Sequence, residues 1–165
     1  MAKPDYTLIF IVEDDEAYAG FVRHTLERKN YMNIKDFSSG EECLANMHLK
    51  PEIILLDYRL GENKMDGLDV LKLIRKENDD VQVVFLTAVD KLEVATNTIK
   101  AGAYDYVVKS EAASERIRNV LRRIVFENHI KKENRLLRKS RRIIIGLMLV
   151  FALGIALIGL YQLIK

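Results

Sequence analysis

The sequence predicts an α/β fold, a doubly wound parallel sheet of five strands in (βα)5 order, and three observations carry that prediction. Five short strand-like segments alternate with amphipathic stretches along the chain. The strongest of them are continuous runs of Ile, Val and Leu, the pattern of strands buried on both faces. Carboxylates, a hydroxyl and an ammonium follow the runs on their carboxyl side, where an open α/β sheet gathers its ligands. Right-handed crossovers would then lay helices on both faces of the sheet.

Each element has its own signal. Leu8 to Val12 reads as the first strand, and Glu16 to Lys29 as a helix with Ala19, Phe21, Val22 and Leu26 on its apolar face. Asn33 to Phe37 is a weaker strand, expected near an edge. Ser39, with Glu42 three residues later, makes a capping box that opens a helix to about His48. Ile53 to Leu56 is the third strand, followed by a helix from Asp66 to Lys76 that carries Leu68, Val70, Leu71 and Ile74. Val81 to Leu86 is the fourth strand. The helix after it, Lys91 to Ala101, ends at Gly102, a terminating glycine. Tyr106 to Val108 is the fifth strand, and Ser110 or Glu111 opens a fifth helix with Ile117, Val120, Leu121 and Ile124 on one face. No internal repeat or low-complexity segment is present.

The composition suits a globular domain with an appendage. With 49% hydrophobic and 30% charged residues and two prolines, the 165-residue chain is neither disordered nor collagen-like. Cys43 is the single cysteine, so no internal disulfide forms, and it reads as a small core residue in a reducing compartment. The polar start of the chain offers no signal peptide. The net charge of +2 hides an asymmetry. Residues 127–165 carry Lys131, Lys132, Arg135, Arg138, Lys139, Arg141, Arg142 and Lys165 against Glu127 and Glu133, a net +6 that leaves −4 for residues 1–126. An acidic domain on a basic stalk argues against nucleic-acid binding by the folded part.

Ile143 to Ile164 contains 22 residues without a charge. As a helix it would extend roughly 33 Å, enough for a hydrocarbon core of ~30 Å. A complete five-helix domain leaves no face for it to cover, so a transmembrane helix is the expectation. Seven of the twelve residues 131–142 are Lys or Arg, which would keep the domain on the cytoplasmic side of the cell (inner) membrane. The predicted organisation is a domain over 1–126, a basic juxtamembrane stalk over 127–142 and a single-pass transmembrane helix over 143–164. Phe126, Ile130 and Leu137 have heptad-like spacing, but Glu133 at the intervening position favours a solvated stalk over a coiled coil. The stalk would also attract anionic membrane lipid, at ~1 kcal/mol per charge near the surface. Ala152, Ala156 and Gly159 form a small-residue stripe, a candidate dimer face.

The candidate site lies where the strands end. The first strand runs into Glu13-Asp14-Asp15, the third into Asp57, the fourth into Thr87 and the fifth into Lys109. Clustered carboxylates repel one another and require a cation. Oxygen-only ligands suit Mg²⁺, which keeps several waters and accepts a phosphate oxygen. The hydroxyl and the ammonium are then available for an anion arriving beside the metal, an arrangement suited to phosphoryl transfer onto a carboxylate. Singly, each residue has a plainer role: Asp15 as a helix N-cap, Thr87 as a strand end, Tyr106 in the core, Lys109 in solvent. Jointly, at one rim, they favour the chemical reading.

The motifs Ile-Val-Glu13-Asp14-Asp15, Leu-Leu-Asp57, Met65-Asp66-Gly67, Phe-Leu-Thr87-Ala88, Ala-Gly102-Ala-Tyr-Asp105-Tyr106 and Val-Val-Lys109 appear in order over about residues 6–126. Together they resemble the CheY-like receiver domain of bacterial response regulators. The resemblance implies a flavodoxin-like strand order of 2-1-3-4-5. It also implies that Asp57 accepts a phosphoryl group and that Asp14, Asp57 and the backbone carbonyl of Arg59 hold Mg²⁺, with Glu13 acting partly through water. It further implies that Lys109 pairs with the phosphoryl group, that Thr87 hydrogen-bonds it in the active state, and that Tyr106 changes rotamer as the Thr87 loop moves. The chain departs from the family at Ser110, where a proline with a cis bond is usual, and in a longer loop after Asp57. Arg59 and Val89 occupy the two positions that tune phosphoryl lifetime in the family.

The resulting expectation is a membrane-tethered phosphoacceptor, phosphorylated by a sensor histidine kinase or a phosphotransfer protein. It would catalyse only its own phosphotransfer and dephosphorylation. With no DNA-binding segment after residue 126, its output would pass to a protein target at the fourth helix, fifth strand and fifth helix, or onward by phosphorelay. Two rivals are weaker. A haloacid-dehalogenase-like phosphatase needs a second Asp where Arg59 stands. A degenerate receiver serving as a phosphorylation-independent membrane adaptor would not need the full set of Glu13, Asp14, Asp57, Thr87 and Lys109.

Overall fold

The computed structural model describes residues 5–61, 65–88 and 92–164, with side chains beyond 134 described only in part. Five strands form one parallel sheet: β1 (Ile9–Val12), β2 (Ile34–Phe37), β3 (Ile53–Asp57), β4 (Gln82–Thr87) and β5 (Asp105–Val108). Their order is β2-β1-β3-β4-β5, the predicted one, with the weakly patterned β2 at an edge. Every residue of β1 and β3 is buried, which is why those strands read as unbroken apolar runs, whereas Lys35 and Asp36 of β2 are exposed.

The helices are α1 (Glu16–Glu27), α2 (Gly40–Ala45), α3 (Gly67–Glu77), α4 (Leu92–Lys100) and α5 (Ala113–Ile164). A hydrophobic cluster lies on one face of the sheet. Phe10, Ile54, Leu56, Val83 and Phe85 meet Leu60, Val70, Leu71 and Ile74 there, and Cys43 is buried among them. Burial pushes the Cys43 thiol up to about 12, so it packs as a small hydrophobe.

Three local expectations are corrected. The helix opened by Ser39 stops at Ala45 rather than near His48. The Asn46 side-chain amide donates to the Glu42 carbonyl at 2.9 Å, and a single 3-10 turn, Met47–Leu49, leads into left-handed Lys50 ahead of Pro51. The capping box is shifted by one residue. Ser39 Oγ accepts from the Glu42 N–H, but Glu42 Oε2 accepts from the N–H of Ser38 rather than of Ser39. Finally, α5 opens at Ala113, because the Ser110 carbonyl is spent on a turn to the Ala113 N–H at 2.9 Å. Gly102 does end the α4 region, at φ +100°, and Arg75 donates twice to its carbonyl, at 3.1 and 2.9 Å.

The chain divides into two compact units, Met1–Arg123 and Ile124–Lys165. The backbone of the second is helical to Ile164. Most side chains of the predicted transmembrane segment, Ile143 to Ile164, lie outside the described residues, as does Val89. Among the described residues, no helix is long and apolar enough to cross a membrane. Ile144, Ile145 and Met148, at the start of that segment, are exposed.

Candidate functional site

The carboxyl ends of β1, β3, β4 and β5 build the site. β1 stops because the chain turns into α1, whose N-cap is Asp15. Its Oδ1 accepts from the N–H groups of Ala17 and Tyr18 at 2.9 and 3.1 Å. The cap occupies one member of the acidic run and leaves the other two for the site. Glu13 is buried and anchored to β2 by its N–H on the Phe37 carbonyl at 3.0 Å, whereas Asp14 is exposed.

Asp57 is the last residue of β3 and only 6% exposed. Two contacts set the backbone around it. The Tyr58 N–H reaches the Leu86 carbonyl at 3.1 Å, and the Gly67 N–H reaches the Tyr58 carbonyl at 3.0 Å. A Cβ at Gly67 would run into the Asp57 carbonyl oxygen and come within 2.9 Å of the Phe85 ring, so the position has no room for a side chain. Asp66, just ahead, caps α3 by accepting from the Asp69 N–H at 2.8 Å. The Met65-Asp66-Gly67 motif thereby starts a helix and brings its first turn against the end of β3.

Lys109 closes the site from β5. Its N–H donates to the Thr87 carbonyl at 2.7 Å, which extends the pairing of β5 with β4 to the rim. Its ammonium is 2.8 Å from Asp57 Oδ2, and 2.8 and 2.7 Å from Glu13 Oε1 and Oε2. On another side it sits 4.4 Å from the centre of the Tyr18 ring. Carboxylate oxygens of Glu13, Asp14 and Asp57 lie within 4.8 Å of one another.

The electrostatics follow from this crowding. Burial lifts the Glu13 carboxyl to about 7; Lys109 opposes the rise and the Asp57 charge adds to it. Burial also works against the Lys109 charge, but the hydrogen bonds to Asp57 and Glu13 prevail and hold the ammonium above the ordinary lysine value. The Tyr18 hydroxyl is pushed up to about 12, by burial and then by the charges of Glu13 and Asp57.

Glu13, Asp14, Asp57 and Lys109 thus form one cluster. Thr87, 1% exposed, ends the neighbouring strand, and Asp57 pairs with Leu86 beside it in the sheet. Tyr106 is buried on β5, in register with Phe85. Arg59, two residues after Asp57, is exposed, and its side chain is not part of the cluster. Sequence reasoning passed over Tyr18. Its available signal was an aromatic residue in the first turn of α1, four positions after Asp14, where the turn brings it back over the site. Three oxygen donors close enough to share one cation fit a hard divalent ion. A carboxylate with an ammonium against one oxygen is a nucleophile with its counter-charge in place.

A profile of the response regulator receiver domain matches residues 9–122. The chain belongs to that family. This receiver is 31% identical to the acid tolerance regulatory protein ActR of Sinorhizobium medicae over 121 residues, 73% of this chain and 60% of that one. It is 33% identical to the alkaline phosphatase synthesis transcriptional regulatory protein PhoP of Bacillus subtilis, over 70% of this chain and 48% of that one. The nitrogen assimilation regulatory protein NtrX of Azorhizobium caulinodans is 33% identical over 61% of this chain and 22% of its own. The chain therefore spans between about a fifth and three-fifths of the length of these relatives. Among solved structures, the receiver domain of NtrX from Brucella abortus superposes with a TM-score of 0.65 at 26% identity, covering 70% of this chain and 96% of that one. As a receiver, the protein is a signalling domain of a two-component system, and its acidic pocket is the one in which such domains bind Mg²⁺.

Proposed function

We propose that this receiver takes a phosphoryl group onto Asp57 from a sensor histidine kinase or a phosphotransfer protein. The observation that carries the reading is the Asp57 carboxylate at the end of β3, with Lys109 Nζ 2.8 Å from one oxygen and two further carboxylates within 4.8 Å. Asp14, Asp57 and the Arg59 carbonyl would hold Mg²⁺, with Glu13 acting partly through water. Bound there, the ion screens the acidic cluster and neutralises charge on the arriving phosphoryl oxygens. One Asp57 oxygen attacks phosphorus as the bond from phosphorus to the donor nitrogen breaks, and the electron pair leaves with that nitrogen. Lys109 moves its contact from Asp57 to a phosphoryl oxygen, and Thr87 donates its hydroxyl to another. The change at Thr87 reaches Tyr106 on the next strand, and output passes to a protein at the α4-β5-α5 face or onward by phosphorelay.

The metal half of the reading has a direct test. Mg²⁺ should raise the melting midpoint of the protein by mass action, about 1.4 kcal/mol at ten times its dissociation constant. Asp14→Ala should stay folded, since it removes like-charge repulsion, and should lose this Mg²⁺ dependence. An Asp14→Ala variant whose midpoint still climbs with Mg²⁺ as the unaltered protein's does would remove Asp14 from the ligand set.

We further propose that the second unit tethers the receiver to the cell membrane with the receiver on the cytoplasmic side. Support comes from the uncharged run Ile143 to Ile164, the helical backbone through it, the exposed Ile144, Ile145 and Met148, and the seven basic residues just before it. The full chain should then remain with membranes through alkaline carbonate extraction. Recovery as a detergent-free soluble monomer would refute the tether while leaving the Asp57 chemistry intact.

A further inference from the structure

Tyr18 lies against the phosphoryl site without a role in the mechanism above. Its ring faces the Lys109 ammonium at 4.4 Å from the centroid, and Lys109 is held on its other sides by Asp57 and Glu13. The Tyr18 hydroxyl oxygen is shielded from solvent, yet it has no hydrogen-bond partner among the described residues. A buried hydroxyl left unpaired is costly, and a partner supplied in another state of the site would recover that cost. Burial, and then the charges of Glu13 and Asp57, keep this hydroxyl protonated at neutral pH, with a proton to donate.

Lys109 sits against Asp57 Oδ2 and both Glu13 oxygens, and among the described residues the Tyr18 hydroxyl makes no hydrogen bond to either carboxylate. A phosphoryl group on Asp57 brings three acceptor oxygens into the space beside Lys109 and draws the ammonium away from the carboxylates. We infer that Tyr18 is a positioning residue of the phosphoryl site: its ring guides the Lys109 ammonium, and its hydroxyl donates a hydrogen bond to the anion seated on Asp57. The inference rests on the phosphoacceptor reading, and it adds a contact from α1 to a site otherwise built from strand ends.

The two halves of Tyr18 separate by substitution. Tyr18→Phe keeps the ring over Lys109 and removes the donor, whereas Tyr18→Leu removes both. Beryllofluoride with Mg²⁺ serves as the probe, its binding to the full chain in detergent followed by the fluorine resonance of the bound ion. The unaltered protein should show that resonance. Tyr18→Phe should need about fivefold more beryllofluoride for half-saturation, the loss of one hydrogen bond of about 1 kcal/mol. Tyr18→Leu should need at least tenfold more, with the cation–π contact also gone. Without ligand, Tyr18→Phe should melt no lower than the unaltered protein, because the deleted hydroxyl was unpaired. Anion affinity lost while resting stability is kept is what a packing role does not produce. Half-saturation unchanged in Tyr18→Phe, or affinity and resting stability falling together, would overturn the inference and leave the phosphoacceptor reading standing. No bound resonance in the unaltered protein would overturn both.

Discussion

Lys109→Met should leave the first unit about 3 kcal/mol less stable at pH 8 without divalent cation, the penalty for stranding buried charge when its partner is removed. The Lys109 ammonium is the counter-charge for Glu13 and Asp57, whose side chains are 1% and 9% exposed. Without it the two carboxylates face each other with little water between them. For a small domain, a loss of that size lowers the melting midpoint by more than ten degrees, at roughly 4–8 °C per kcal/mol. The deficit should shrink as the pH falls. The Glu13 carboxyl stands near 7 in the fold, above its unfolded value of 4.5, so the folded state holds the extra proton between those values. Its contribution to stability is therefore complete below about 4.5 and lost as pH rises through about 7. Lys109 is one of the influences holding that value down, so its removal moves the window upward, and the variant should recover between pH 8 and 6. Saturating Mg²⁺ should restore it in another way, by supplying positive charge to the same oxygens. Thermal melts across pH, with and without Mg²⁺, check both effects. A variant as stable as the unaltered protein at pH 8 without cation would mean that the ammonium is not the charge that keeps this cluster together.

The strands and the rim residues were legible in the sequence for a physical reason. A parallel sheet buried on both faces needs unbroken apolar runs, and its ligands collect where those runs end. Glu13, Asp57, Thr87 and Lys109 each follow such a run directly, so locating the runs located the candidate cluster at the rim. What escaped were features decided by contacts distant in sequence or by competing local hydrogen bonds. Asn46 ends α2 by turning its amide onto the Glu42 carbonyl, a choice that amphipathic spacing does not record. The Glu42 carboxylate takes the Ser38 N–H rather than that of the N-cap Ser39, a choice the motif does not record. Gly67 was visible as a motif residue, but its close approach to the Asp57 backbone depends on the packing of α3 against β3 and β4. Tyr18 was hidden for the same reason, since only the return of the α1 turn over Lys109 distinguishes it from an ordinary amphipathic position. Val89, one of the two positions expected to tune phosphoryl lifetime, lies outside the described residues, so its contribution stands as a sequence expectation.

Asp57→Asn should abolish phosphorylation, and this substitution tests the central claim most directly. Asn keeps the shape of the side chain and can still meet Lys109, so the strand ends and the packing around Gly67 stay as they are. It replaces the nucleophilic carboxylate oxygen with an amide that does not form the phosphoryl bond. Glu13 is no substitute, because its oxygens are engaged by Lys109, and Asp14 lies exposed at the edge of the cluster. The measurement is labelling of the full chain in detergent with a small phosphodonor and Mg²⁺, followed by treatment with acid and with hydroxylamine. The unaltered protein should gain one acid-stable, hydroxylamine-labile phosphoryl group that maps to the peptide containing Asp57, and Asp57→Asn should gain none. Equal labelling of the two proteins would contradict the assignment of Asp57 as the phosphoacceptor.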